Sequence, residues 1–320
     1  MLDFTVAIRT FNGAERLPLI LERLRTQIKV EAITWEVLVV DNNSNDDTAQ
    51  VIQSYQNDWE HCPLRYVFEP QQGASIARRR AVQEAKGILI GFLDDDNLPS
   101  LNWVAAAHAF GQAHPQAGAY SSEIHPDYEV EPPKDFQKIA FYLPVIERKK
   151  TFRTNTNQQG FPPGAGLVIR KSVWVETVPD RLVFQGPVGS RISAKGEDTE
   201  ALIYLKQAGW EIWHNAEMEI WHRIPKWRLE KQYLLNFCRN CNLPCYPSRM
   251  SKYKLWQKAF MTGFYLFSDL IKVTVFFITN RNLIQTDTIV ACQMEALLGR
   301  LFSPFHFVRL KYFSHKLFKF

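Results

Sequence analysis

The chain has 320 residues, 46 % of them hydrophobic, which fills a sizeable core and excludes disorder over most of its length. Its net charge of +5 hides an asymmetry: residues 1–220 carry 22 basic and 29 acidic side chains, residues 221–320 carry 16 and 4. An acidic front and a basic, aromatic tail point to two jobs, and five cysteines, an odd number, suit a reducing compartment better than a disulfide framework. The opening Met1-Leu2-Asp3-Phe4 enters a strand pattern without a basic lead or cleavage site, so the expectation is a cytoplasmic chain.

Residues 4–10, 35–40 and 88–93 are short apolar runs of the kind that form buried strands, and 64–68 reads as a further strand. Between them, residues 15–28, 46–55 and 74–85 read as helices, the first with Leu17, Ile20, Leu21, Leu24 and Ile28 along one face. The alternation predicts right-handed βαβ units and an α/β fold with a Rossmann-like, mostly parallel sheet. Ligands of such sheets lie beyond the carboxyl ends of the strands. The polar clusters fall at those ends: Arg9-Thr10-Phe11-Asn12, Asp41-Asn42-Asn43-Ser44 and Asp94-Asp95-Asp96-Asn97.

Beyond Pro115 the pattern loosens, and residues 129–150 read as an exposed connection. Gly164-Ala165-Gly166 leads into a strand at 167–169. Residues 187–196 suit a mobile lid, 197–207 a helix, and two short strands surround Ile212 and Ile220. Residues 259–279 are nearly apolar but interrupted by Asp269 and Lys272, which favours a helix lying on, or dipping into, a membrane face over one that crosses it. From Arg309 to Phe320 cations and aromatics interleave, as in interfacial anchors. The expected division is therefore 1–225, in parts 1–120 and 121–225, and a helical region at 226–320.

Three adjacent carboxylates repel one another, and a strand end tolerates them best beside a divalent or cationic ligand. Their hard oxygens suit Mg²⁺ or Mn²⁺, with phosphates completing the shell. An EF-hand is excluded because Leu98 and Pro99 follow Asn97 without the turn glycine. No P-loop string is present, and Gly164-Ala165-Gly166 precedes a strand, so P-loop kinases and NAD-dependent dehydrogenases are excluded. Cys238, Cys241 and Cys245 supply three thiols without a second Cys-x-x-Cys, weak grounds for zinc. Trp210, Trp213 and Trp221 read as core packing.

Over residues 3–225 the sequence resembles the inverting family 2 glycosyltransferases of GT-A fold. The resemblance is carried by Thr10-Phe11-Asn12 after the first strand, by Asp41 and Asn42 after the second, by Gly73-Ala74-Ser75-Ile76-Ala77-Arg78, by Asp94-Asp95-Asp96, by Glu197-Asp198, and by His222 after an aromatic strand. It implies a nucleotide-sugar donor bound by Thr10, Asn12, Asp41, Asn42, Gly73, Arg78, Asp94 and Asp95, and Mn²⁺ or Mg²⁺ held by Asp96 and His222. It further implies Asp198 as general base with Glu197 beside it. Arg79 stands where the family usually has Asn, and His214 is the rival to His222. The strings around Asp94–Pro99 and His114–Tyr120 also look like a cyanobacterial subgroup associated with hormogonium polysaccharide export. The implied partners are the donor, a glycan or lipid-linked acceptor and the cytoplasmic face of a membrane, with no nucleic acid. The same carboxylates leave a sugar-phosphate nucleotidyltransferase, or an inactive glycan-assembly scaffold, as alternatives.

Overall fold

The computed structural model describes residues 1–184, 186 and 196–316, with the side chains of 157 and 311–316 set aside. Two units are separable: residues 1–127, 144–180 and 204–223, and residues 128–143, 181–203 and 224–320.

The first unit is built on β1 (Leu2–Thr10), β2 (Trp35–Asp41), β3 (Leu64–Phe68) and β4 (Gly87–Asp94), with α1 (Leu17–Arg25), α2 (Thr48–Asn57) and α3 (Ala74–Glu84) between them. β2 is buried along its whole length, as its Val and Leu content requires. In α1, Pro18 sits in the first turn and Leu17, Ile20, Leu21 and Leu24 are buried at helical spacing. The expected start of α2 at residue 46 moves to Thr48, because Asp46 stays in the preceding turn, where its carboxylate accepts the Thr48 N–H at 3.1 Å in an Asx-type turn.

β5 (Asn97–Pro99), α4 (Trp103–Ala113), β6 (Ala117–Tyr128), β7 (Phe152–Arg153), α5 (Thr156–Gln159), β8 (Val168–Arg170), α6 (Lys171–Thr177), α7 (Glu197–Gln207) and β9 (Glu211–Ile224) follow. The described strands form one nine-stranded sheet in the order β3-β2-β1-β4-β8-β6-β9-β5, with β7 on β9. β1 pairs in parallel with β2 and β4, and β2 with β3, which gives the expected parallel core; β8 joins β4 antiparallel. The core lies where α4 crosses that sheet. Trp103 is fully buried, meets Phe4 edge-on at 5.9 Å and donates from Nε1 to Ser122 Oγ at 3.0 Å. Gly91 belongs under this ring, since a Cβ there would stand 2.5 Å from Trp103 and 2.7 Å from Phe4.

Three expectations are corrected. The loosened stretch after Pro115 is the twelve-residue strand β6, whose apolar run is broken by the buried and hydrogen-bonded Ser121, Ser122 and Glu123. The two short strands near Ile212 and Ile220 are one strand of fourteen residues, β9. The connection at 129–150 buries Phe136, Ile139 and Leu143 around two 3₁₀ turns. The lid expected at 187–196 lies outside the described residues except for Gly196.

The second unit is mainly helical: α8 (Lys231–Asn242), α9 (Cys245–Met250), α10 (Leu255–Thr286) and α11 (Thr288–Lys316). The apolar segment expected at 259–279 thus belongs to a longer helix. α11 packs along α8 and α10. Leu234, Phe237 and Cys238 of α8 and Ile289, Cys292 and Ala296 of α11 are buried. Arg239 pairs with Glu295, and Arg300 Nε donates to Asn242 Oδ1 at 3.0 Å.

Candidate active site

The carboxyl ends of β1, β2 and β4 bring Thr10, Asp41 and Asp94 into one register, with Thr10 opposite Asp41 and Arg9 opposite Asp94. The loops beyond are tied together. Asn12 N–H donates to Ser44 Oγ at 2.9 Å, Asn45 N–H donates to Asn12 Oδ1 at 2.9 Å, and Asn12 and Asn43 hold left-handed backbones. Asparagine tolerates that conformation better than most side chains.

Asp41 is buried, and both its oxygens are engaged. Oδ1 accepts the Ser44 N–H at 2.9 Å, and Oδ2 accepts the Tyr66 hydroxyl at 2.8 Å. Burial and that carboxylate push the Tyr66 hydroxyl up from its ordinary range. Asn42 Oδ1 accepts the Gly73 N–H at 2.8 Å, while its Nδ2 donates to the Gln71 carbonyl at 2.7 Å. Gly73 takes a φ of +146°, so glycine is needed at this start of α3. One turn on, the buried Arg78 places its guanidinium 4.4 Å from the centre of the Phe92 ring, and Arg79 donates to the Asp180 carbonyl.

The acidic triplet divides its charge among separate partners. Arg9 Nη2 donates to Asp94 Oδ1 at 2.7 Å. Arg16 makes a forked contact with Asp95, at 3.0 and 2.9 Å, and Thr10 Oγ1 donates to Asp95 Oδ2 at 2.6 Å. Burial pushes the Asp95 carboxyl up against the pull of Arg16, and the same contact holds the Arg16 guanidinium above its usual range. Asp96 turns the other way. Its Oδ1 accepts Asn97 Nδ2 at 2.9 Å, and its Oδ2 lies 3.6 Å from His222 Nε2.

That juxtaposition follows from strand pairing. β5 runs antiparallel to β9 with Asn97 opposite His222, and Arg223 N–H donates to the Asp96 carbonyl at 2.9 Å. One carboxylate oxygen and one imidazole nitrogen at this separation fit a single Mn²⁺ or Mg²⁺ at about 2.1–2.2 Å from each, leaving positions for phosphate oxygens. Among the described residues no group of three or more His, Cys, Asp or Glu gathers as for a metal ion. His214 is buried elsewhere, with Nε2 on Glu123 at 2.8 Å and Nδ1 facing Ser121 at 3.2 Å. Cys238, Cys241 and Cys245 form no disulfide.

Glu197 and Asp198 belong to the second unit, at the head of α7, where Glu197, Asp198 and Glu200 put three carboxylates in the first turn. Glu197 accepts the Gly196 N–H at 3.1 Å, and Glu200 accepts those of Val183 and Phe184 at 3.0 and 2.9 Å. Trp213 packs against the core, Trp221 lies 5.2 Å from the His125 ring, and the carbonyl of Gly166 accepts the Ser122 hydroxyl at 2.7 Å.

Sequence reasoning did not find Arg9, Arg16 or Tyr66. Arg9 carried a usable signal, since it stands in the polar run-out of β1. Arg16 and Tyr66 carried none, because their partners are 79 and 25 positions away.

The glycosyl transferase family 2 model matches residues 5–175, more than half of the chain. Haloferax volcanii glycosyltransferase AglE is 29 % identical over 100 residues, 31 % of this chain and 32 % of that protein. The putative teichuronic acid biosynthesis glycosyltransferase TuaG of Bacillus subtilis is 36 % identical over 63 residues, 20 % of this chain and 25 % of its own. The matched stretches thus span a quarter to a third of these relatives' length. The fold is shared with mannosyltransferase PcManGT from Pyrobaculum calidifontis, solved with GDP-Man and Mn²⁺, at a TM-score of 0.61 and 16 % identity over 95 % of this chain and 89 % of that one. The chain belongs to glycosyl transferase family 2 and has a GT-A fold.

Proposed function

We propose that the protein is a metal-dependent transferase that moves a sugar from a nucleotide-sugar donor to a hydroxyl of a glycan or lipid-linked acceptor, at the cytoplasmic face of a membrane, in surface polysaccharide assembly. The observation that carries this reading is the placement of Asp96 beside His222, while Asp94 and Asp95 are held by Arg9 and Arg16. Two of the three negative charges are thereby offset within the protein, and the third carboxylate keeps one oxygen directed at an imidazole.

In this account residues 1–120 hold the nucleotide. Asp41, steadied by Tyr66 and Ser44, accepts from the base, and Thr10, Asn12, Asn42, Gly73 and Arg78 shape the loops around the diphosphate. Asp96 and His222 would hold Mn²⁺ or Mg²⁺, which when bound offsets charge on the departing diphosphate. Residues 121–225 take the acceptor. Its hydroxyl oxygen bonds to the anomeric carbon as the bond from that carbon to the diphosphate oxygen breaks, and the hydroxyl proton passes to Asp198, the residue the family resemblance assigns as base. Glu197 sits beside that base and is tied to the backbone of Gly196. The surface-polysaccharide setting rests on the kinship with TuaG and on the cyanobacterial resemblance.

The test is to incubate the purified chain and Mn²⁺ with a panel of nucleotide sugars and acceptors. Free nucleoside diphosphate with a new glycosidic bond is expected for one donor. Release of pyrophosphate, or no turnover of any donor under which the protein remains folded, overturns the reading.

A further inference from the structure

Helix α10 carries a face that the second unit leaves uncovered. Phe260, Phe264, Phe267, Ile271, Val275 and Ile278 recur at spacings of 4, 3, 4, 4 and 3 and are 46–77 % exposed. At about 100° per residue they form a single stripe, about 27 Å long at the helical rise, and Trp256 extends it by a further turn. Among the described residues α10 is the one helix long and apolar enough to cross a membrane.

We propose that α10 seats this stripe in one leaflet of an anionic bilayer and lies along the membrane instead of crossing it. This placement rests on the membrane-facing part of the proposed function and specifies its contact.

The opposite side of the helix decides the orientation. Asp269 stands about half a turn from the centre of the stripe. It is buried, and Arg249 of α9 pairs with both its oxygens. The Arg249 guanidinium also lies 5.0 Å from the Tyr265 ring centre. Thr262 and Tyr265, on the same polar side, reach the hydroxyls of Tyr246 and Tyr253 at 2.9 and 3.2 Å. A crossing helix would carry the Asp269–Arg249 pair and the exposed Lys272 toward the bilayer centre. It would also take in α11, which packs along it and is joined through Glu295 and Arg300 to α8. Lying flat, the helix inserts its apolar stripe, leaves the Asp269–Arg249 pair with the protein and keeps Lys272 at the level of the headgroups.

Charge identifies the surface. The exposed charged side chains on and just before α10 are Lys252, Lys254, Lys272 and Arg281, all cationic, and its one carboxylate is turned inward. Anionic headgroups complement that rim. A two-fold contact between two copies of the stripe would set like charges against each other.

The experiment uses the full chain with vesicles of phosphatidylcholine containing about 30 mol % phosphatidylglycerol, or of phosphatidylcholine alone. Co-sedimentation with the anionic vesicles is expected, weaker by about tenfold without the anionic lipid. It should fall a further tenfold or more in the double variant Phe264→Ser and Phe267→Ser, whose circular dichroism is unchanged because both positions are exposed. A fluorescent amino acid at 260, 267, 271 or 278 should be quenched equally, and best by lipids brominated near the headgroup. Absence of vesicle binding, deepest quenching at 267 and 271 alone, or an apolar stripe consumed in a dimer that the double variant dissociates would each overturn the proposal. Transfer to a soluble acceptor without lipid, unchanged in the double variant, separates this surface from the catalytic reading: either can fail while the other stands.

Discussion

Replacing Tyr66 by Phe removes one hydroxyl and keeps the ring. The lost contact is a 2.8 Å hydrogen bond to Asp41 Oδ2, leaving the buried carboxylate with the Ser44 N–H as its other partner named above. Hydrogen bonds to charged groups contribute about 1.5–3 kcal/mol, and the half-buried position of Tyr66 argues for the lower end. If the loss falls on the geometry of Asp41, about 1.4 kcal/mol corresponds to tenfold weaker donor binding. Calorimetric titration of the nucleoside diphosphate and steady-state kinetics read this directly. The expected result is a Kd and KM raised by about three- to tenfold with kcat within about twofold, because the base is remote from the anomeric carbon. Unchanged nucleotide affinity in a variant whose folding free energy has dropped would refute the reasoning and leave the Tyr66–Asp41 pair a purely structural contact.

Asp198→Asn should retain nucleotide binding by the same titration and lose about 10²–10⁴-fold in transfer rate; a rate within tenfold of the parent contradicts the base assignment. Asp269→Asn breaks a buried pair and should cost about 3 kcal/mol in denaturant unfolding, the low end for such pairs because Arg249 keeps 20 % side-chain exposure, and a loss below about 1 kcal/mol would contradict this. Burial pushes the His214 imidazole below its ordinary range, against the pull of Glu123, and Arg148 adds to the depression. The unfolded chain therefore binds more protons below about pH 6.5, so stability is present above that value and falls as pH drops through it. His214→Gln should flatten this step in a series of denaturation curves, and an undiminished slope would remove His214 as its cause.

The parallel half of the fold was legible because β1, β2 and β4 are largely apolar runs that end in polar clusters, and α1 between them shows one apolar face. β6 was not, because its buried Ser121, Ser122 and Glu123 look like loop residues until their partners Gly166 and His214 are known. In β9 the polar stretch Asn215-Ala216-Glu217 imitates a break between two strands, and pairing with β7 and β5 carries the strand through. At the site, the triplet Asp94-Asp95-Asp96 announced itself, but its division among Arg9, Arg16 and His222 depends on contacts between residues 79 to 126 positions apart. Residue type reveals that charge must be compensated there; only strand order reveals by what. α10 shows the same limit, since Asp269 interrupts the apolar segment in sequence yet turns away from the exposed stripe in space.

The central claim is that Asp96 and His222 form one cation site that serves the donor diphosphate. Electron paramagnetic resonance titration of Mn²⁺ with the full chain and nucleoside diphosphate, compared with His222→Ala, tests it most directly. The account predicts Mn²⁺ affinity weakened by about tenfold or more in the variant when diphosphate is present, with nucleotide still bound through Asp41. Equal Mn²⁺ affinity in the two proteins would contradict it.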